Sequence, residues 1–513
     1  MPAADVQFVN ALIHAIGVQL VEQVNGTRNQ ILIWGGIHHM TADKILLTDD
    51  QMADFIANGY LKLNTDFSAE FHQTVMQKLN EVYKDEGNPG NNLLPRIPEI
   101  GRFFEHPVVS GALTSILGPD YIMSAHRHGH LTKSGAGQVG WHKDNYWLNE
   151  KIRNHHPWSV IIFYYTQDVT EVMGPSALMP GTQNYYLKPG DAATTKKVTG
   201  KAGSMALIAY DLWHTATHNQ SDIDRYMLKF QFFRMDAPKS PTWNNKSSMF
   251  ISPGTLQHGN EHRLMWEHEW NWLSGKTNGI ETEESTLPEE AVQEQERIRQ
   301  LADTLEGENE IQSLNAAYEL AAIGNAAIPA LVEAVHSPVH SVACNAAHGL
   351  IVIGEDSVPP LIEALQSETV HDQTHGYIAF ALGELGEAAG GAVPALTALL
   401  HDKTTFVRQH AVEALGLIRN PASLVVPALC EALLNDPDNF TRFTAALALA
   451  RVGKDAAAAV HSLEKALNDP YRYVPGAASE ALARIRTDEA LDVLLPYLQK
   501  ARWCPVTTSR NTY

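Results

Sequence analysis

Residues 206–233, ALIAYDLWHTATHNQSDIDRYMLKFQFF, decide the fold of the first half of this 513-residue chain. They hold two short β-type runs, 206–210 and 227–233, separated by a polar stretch that contains His214, His218 and Asn219. A third run, SVIIFYY at 159–165, lies upstream, and together the three predict a mainly β core. Segments around 48–58 and 68–83 have helical spacing with Ser, Thr or Asp start signals, so helices should brace that core.

The chain changes character near residue 275. A segment with Trp266, Trp270 and Trp272, expected to be buried packing, runs into GKTNGIETEESTLPEE, whose polar, acidic make-up reads as a linker. From about residue 291 the sequence is Ala/Leu-rich and repetitive. Each unit ends one helix in an apolar-Gly signal and opens the next with apolar-Pro-apolar, as in AAIG then IPAL. Equivalent positions are Gly324, Gly354, Gly386, Arg419, Gly453 and Arg486, 30 to 34 residues apart, which gives six repeats. Gly supplies a left-handed backbone at a helix end, and Pro fits the first turn of the next helix. Such a helix pair cannot bury its apolar face alone, so neighbours must stack into an α-solenoid. The units resemble HEAT-like repeats of phycobilisome-lyase-related proteins. That resemblance implies partner binding or scaffolding and does not extend to lyase activity.

Length alone makes two domains the natural expectation, and 44% hydrophobic residues can fill both cores. A formal charge of -20 repels phosphate backbones and anionic lipid surfaces, which excludes nucleic acid and membrane as partners. Cys344, Cys430 and Cys504 have no ligand spacing and read as reduced thiols. The first 26 residues lack a leading basic cluster and a cleavage signal and read as an ordinary amphipathic helix. Without a targeting or membrane-spanning segment, the expected location is the cytoplasm.

The chemistry-bearing motif is Trp141-His142-Lys143-Asp144, which follows a strand-like stretch and the Gly-rich loop 134–138. An isolated HxD is weak, since about one is expected by chance in a chain this rich in His and Asp. Context gives it weight. An oxygen-activating Fe(II) site takes two neutral imidazoles and one carboxylate on one face, leaving three positions open for a keto-acid and O2. HxD supplies two of these ligands from one side of a strand. The third should come from a later strand, where His214 and His218 are the candidates. Arg225 then offers a fixed, always-charged partner for a buried carboxylate.

His142-Lys143-Asp144, the stretch GPSALMPGT at 174–182, and His214 through Asn219 to Arg225 together resemble the phytanoyl-CoA dioxygenase family. That family shows HxD, a Gly-x-Leu-x-x-x-Pro-Gly-Ser/Thr-His-like lid strand, and a distal His, Asn and Arg in this order. The opening LTDDQ at 47–51 through Phe55 to Gly59-Tyr60-Leu61 is similar too. The resemblance implies a double-stranded β-helix of the jelly-roll or cupin type, with Fe(II), 2-oxoglutarate and O2 as cofactor and cosubstrates. Carried over residue by residue, it implies His142, Asp144 and His214 as metal ligands and catalytic residues. Arg225 becomes the 2-oxoglutarate clamp, with Asn219 and Tyr165 beside the cosubstrate. His214 stands eleven residues before Arg225 and fits the pattern better than His218. Asn219 reads equally as a turn residue and Tyr165 as a core aromatic, and Asn184 departs from the His often found in the lid. The expected organisation is a dioxygenase domain over 1–275, an acidic linker and leading helix over 276–304, repeats over 305–502 and a tail over 503–513.

Hydroxylation of an unactivated C–H in a small organic or acyl substrate is the implied activity. Its rivals are a zinc hydrolase built on the His214/His218 spacing, a halogenase, and a scaffold whose oxygenase fold has decayed. The first lacks the Glu of HExxH, and Asp144 stands where a halogenase has a small residue. A further alternative is a protein hydroxylase that recruits its substrate through the repeats. Lys188, Lys196 and Lys197 would suit a CoA ester, although a solvated loop accounts for them more simply. His126, His128 and His130 alternate on one strand face and read as pocket or surface wall rather than a second metal site. His38-His39 and His155-His156 lack partner spacing and read as loop residues.

Overall fold

The computed structural model describes residues 44–144, 152–190, 195–254, 256, 262–276, 288–366 and 371–500, together with the residue pairs 19–20 and 31–32. Of the first 43 residues only that antiparallel pair, Gln19–Leu20 with Ile31–Leu32, is described. The chain is extended there instead of helical as expected, and the rest of the expected helix, with His38 and His39, lies outside the described residues. Cys504 and the tail also lie outside them.

Eight strands build the β core: β1 Tyr60–Leu63, β2 Tyr121–Thr132, β3 Ser159–Tyr164, β4 Ser176–Leu178, β5 Lys196–Lys197, β6 Met205–Ala209, β7 His214–Ala216 and β8 Arg225–Arg234. They form an antiparallel five-stranded sheet in the order β1-β6-β3-β8-β2 facing a three-stranded sheet in the order β5-β4-β7. This is the jelly-roll sandwich. Its interior is filled by Ile161, Phe163, Val169, Leu178, Ile208 and Leu212, a cluster separate from the main core.

Helices cover the outer face of the larger sheet. Helix α1, Asp49–Asn58, starts in a Thr48 capping box closed by Gln51. It ends at Gly59 in a left-handed conformation (φ 73°), where a Cβ would lie 2.5 Å from the Gln183 side chain. Helices α2, Ala69–Asp85, and α3, Pro107–Leu117, bury Val75, Leu79, Val109 and Leu113 beneath the sheet. Helix α4, Arg263–Leu273, carries the three tryptophans. Trp266 and Trp270 are buried, and Trp272 stacks on His156, as packing residues should.

The second half is an α-solenoid. Helix α5, Pro288–Leu305, packs on the first of six helix pairs. These are α6–α7 (Glu310–Ile323, Ile328–Val335), α8–α9 (His340–Ile353, Val358–Gln366), α10–α11 (Thr374–Glu384, Val393–Ala398), α12–α13 (Thr405–Ile418, Ala422–Asn435), α14–α15 (Asn439–Val452, Val460–Ala466) and α16–α17 (Tyr473–Ile485, Asp488–Lys500). All six positions read as helix stops from sequence have positive φ: Gly324, Gly354, Gly386, Arg419, Gly453 and Arg486. The turn needs that backbone whatever residue occupies it, and two arginines adopt it in place of glycine.

One cluster of buried apolar side chains runs from Leu47 beside the jelly roll to Leu494 in the last helix, so the two halves share a core. Polar bridges add to it. Asp120 takes both terminal nitrogens of Arg484 at 2.7 and 2.5 Å, and the His348 ring donates to the Arg153 carbonyl at 2.9 Å. Glu310 accepts from the backbone N–H groups of Tyr186 and Leu187. Among the described residues no helix is long and apolar enough to cross a membrane.

Candidate active site

The HxD motif does not sit on a regular strand as expected. It is an extended loop held to β7 by a single antiparallel bridge, in which His142 N–H donates to His214 C=O at 3.0 Å and the reverse bond is 2.9 Å. Two neighbouring contacts fix the loop. Lys143, between the ligand candidates, points away from them and donates to the Thr182 and Gln183 carbonyls at 2.8 and 3.1 Å. Burial drives its ammonium pKa well below the ordinary value. This anchoring of the motif to the lid segment was not foreseen from sequence.

Ligand atoms of His142, Asp144 and His214 lie within 4.8 Å of one another, the one His/Cys/Asp/Glu group of this kind among the described residues. Each imidazole spends its Nδ1–H on a carbonyl two residues upstream: His142 on Gly140 at 2.9 Å, His214 on Leu212 at 3.0 Å. That bond fixes the tautomer and turns the Nε2 lone pair inward, the arrangement metal-binding histidines use. His214 Nε2 stands 3.5 Å from Asp144 Oδ2. Burial pulls the His214 pKa down to about 4, so the ring is neutral near pH 7 and free to act as a ligand. His218 is exposed on the loop after β7, and the two histidines stand on strand and loop rather than on the helix a zinc hydrolase of that spacing requires.

Asp144 is 1% exposed, and Lys229 from the middle of β8 reaches it with Nζ at 2.6 and 2.7 Å from its two oxygens. Sequence reading missed Lys229. The available signal was its place in RYMLKFQFF, two strand repeats beyond Arg225 and so on the same face.

Arg225 opens β8 and is fully buried. Its Nη2 donates to the Gly174 carbonyl, while Nε and Nη1 find no hydrogen-bond partner among the described residues. Gly174 has φ 66°, and a Cβ there would lie 2.8 Å from the Thr217 carbonyl, so only glycine lets the loop close this tightly. The guanidinium lies 5.6 Å from the Tyr165 ring centroid, and the Tyr165 hydroxyl accepts from Ser176 N–H at 2.9 Å. Burial lowers the Arg225 pKa, with Tyr165 opposing. A buried guanidinium with two idle donors in a site lined by neutral groups fits a carboxylate. Asn219 is spoken for differently: its amide donates to the Thr132 and Ile223 carbonyls and accepts from Ser221, which holds the turn before β8.

His126, His128 and His130 pair with β8 on the face that carries Lys229, so they line the wall as expected. His126 also meets the Tyr473 hydroxyl of the repeats at 2.7 Å. His155 and His156 lie in a loop but do not lack partners. His155 bonds Tyr318 at 2.8 Å and stacks on His348, and His156 bonds Glu384 at 2.5 Å and His268 at 3.1 Å. Their partners come from residues 110 to 230 positions away, which no local pattern can announce.

Residues 47–227 match the model of the phytanoyl-CoA dioxygenase family, and residues 371–450 and 426–508 match HEAT repeats. No curated protein matches the chain. Among solved structures, EctD from S. alaskensis with 2-oxoglutarate and 5-hydroxyectoine is 14% identical over 47% of this chain and 94% of that one, with a TM-score of 0.33. A non-heme monooxygenase, the ThoJ-Ni complex, is 17% identical over 40% of this chain and 88% of that one, with a TM-score of 0.31. HygX from Streptomyces hygroscopicus with nickel and 2-oxoglutarate is 14% identical over 36% and 86%, also at 0.31. The chain therefore carries a phytanoyl-CoA dioxygenase family domain joined to HEAT repeats.

Proposed function

We propose that the chain is an Fe(II)- and 2-oxoglutarate-dependent dioxygenase that hydroxylates an unactivated C–H of a small organic substrate. His142, Asp144 and His214 are the metal ligands, and Arg225 is the 2-oxoglutarate clamp. The convergence of two Nε2 lone pairs and one buried carboxylate carries this reading. When bound, iron and 2-oxoglutarate supply the oxidation: one atom of O2 enters the C–H as hydroxyl, the other enters succinate, and CO2 leaves.

The chain supplies position and dryness. The carbonyls of Gly140 and Leu212 hold both imidazoles in the ligand tautomer. Lys229 balances the Asp144 charge. Tyr165 and Gly174 hold Arg225 at the far end of the barrel from Lys229, and the apolar interior excludes bulk water from the space between.

The test is anaerobic addition of Fe(II), then 2-oxoglutarate, to the purified chain while the visible spectrum is followed. A weak charge-transfer band of iron-bound keto-acid is expected, and it should need about a hundredfold more 2-oxoglutarate in Arg225→Ala, since a desolvated charged pair is lost. Iron binding with no band at any keto-acid concentration would leave a relic site, with function carried by the repeats.

A further inference from the structure

Along β8, residues 225, 227, 229 and 231 share the barrel-facing side of the strand. Arg225 marks one end and Lys229 holds the metal-site carboxylate. At about 3.4 Å per residue, Gln231 lies about 7 Å and Phe233 about 13 Å beyond Lys229. Gln231 is fully buried opposite Ile161, and neither its amide oxygen nor its nitrogen has a hydrogen-bond partner among the described residues. A cavity of about 90 Å³ opens at that end of the strand, bounded on the barrel side by Ser159, Tyr210, Asp211 and Phe233.

Its opposite wall is made by the repeats. Gln409 comes from α12, and Phe440, Phe443, Thr444 and Arg451 come from α14. Four polar atoms around the cavity are buried without a partner: the donors Trp158 Nε1 and Arg451 Nε, and the acceptors Asn154 Oδ1 and Gln409 Oε1. Arg451 and Gln409 are 5% and 4% exposed, and the Arg451 guanidinium lies 5.2 Å from the Trp158 ring centroid. Two donors, one cationic, and two acceptors around a small aromatic-walled space match a molecule that bears both a carboxylate and an amino group.

We propose that the repeat array forms one wall of the substrate chamber, and that the chamber takes a small zwitterion of the free amino-acid type. The carboxylate meets Arg451 and Trp158, the ammonium meets Asn154 and Gln409, and Gln231 steers the far end toward the metal site. This rests on the dioxygenase reading. A cavity smaller than the ~150 Å³ that accommodates benzene, closed on one side by α12 and α14, has no room for a long acyl chain or a polypeptide.

The probe is the set of twenty free L-amino acids, offered singly to the full chain and followed by ligand-observed NMR and calorimetry, with 2-oxoglutarate consumption measured in parallel. At least one should bind and raise 2-oxoglutarate consumption. Its Kd should rise about tenfold in Arg451→Met and in Gln409→Leu, the loss expected for one charge-assisted or buried hydrogen bond. Thr444→Phe, which fills the chamber without removing a polar group, should abolish binding, and it decides the matter if Arg451→Met fails to fold. Binding by none of the twenty, or binding unchanged in the folded variants, overturns the proposal. The keto-acid band separates the two readings: a band without amino-acid binding sinks the chamber alone. Amino-acid binding lost on Thr444→Phe without a band sinks the dioxygenase reading and keeps the chamber.

Discussion

Two groups of histidines in this molecule are both buried and both hydrogen-bonded, yet only one is built to hold a metal. At His142 and His214, each Nδ1 is tied to a backbone carbonyl of its own segment, which leaves the Nε2 atoms aimed at Asp144. At the junction of jelly roll and repeats, the rings consume one another's nitrogens and those of their neighbours. His156 spans Glu384 and His268, His155 bonds Tyr318, and His348 reaches the Arg153 carbonyl. What makes a histidine a ligand is therefore the nitrogen its surroundings leave idle. Burial and clustering alone give a polar rivet between domains.

The sharpest way to break this comparison is to remove one member from each group. His142→Ala should weaken Fe(II) or Co(II) binding by about a hundredfold or more, because even loss of an outer partner costs ten to a hundredfold. His156→Ala should leave metal affinity unchanged while lowering the unfolding free energy, and equal metal loss in both variants would erase the distinction. Next in size is Lys229→Met, which strands the buried Asp144 carboxylate. Without metal its unfolding free energy should fall by about 3–5 kcal/mol, and added Co(II) should restore more stability than it gives the parent chain. Chemical denaturation with and without Co(II) reads this directly.

The junction histidines make a smaller, graded prediction. Burial holds His156, His268 and His348 at pKa values of about 3 and His155 well below its usual value, so all are neutral when folded. In the unfolded chain they titrate near 6.5. The folded pKa is the lower one, so this contribution is whole above pH 6.5 and is lost as pH falls from there toward 3. At pH 5 each such ring costs about 2 kcal/mol. Replacing His348 by Phe should flatten the dependence of unfolding free energy on pH between 6.5 and 5, and an unchanged slope would mean that ring is not held neutral. The smallest effect belongs to Arg484→Ala. Its partner Asp120 is 39% exposed, so the loss should be about 1 kcal/mol or less despite two short bonds.

The metal-site candidates and the repeats were legible because each has a local signature. HxD, the eleven-residue step from His214 to Arg225, and the helix-stop positions all sit in short windows. Even Arg419 and Arg486 could be placed as helix stops by spacing, although neither is glycine. Lys229 and Gln231 were readable in principle, since polar residues at alternate positions of an apolar strand demand a reason. His155, His156, Arg451 and Gln409 were not. Their meaning arises only where jelly roll and solenoid meet, and no periodicity in one segment encodes a contact with the other.

The continuous core from Leu47 to Leu494 also has a consequence for how the chain is made. Synthesis runs from the amino end at about 5–20 residues per second, so the jelly roll emerges roughly 10–40 s before the last repeat is complete. Throughout that interval Trp158, Trp272 and the surfaces around them face solvent where Arg451, Glu384 and Tyr318 will later sit. A nascent jelly roll is thus a sticky intermediate that waits for its own carboxyl-terminal half, and a chain halted after residue 275 should bind a hydrophobic dye that the full chain excludes.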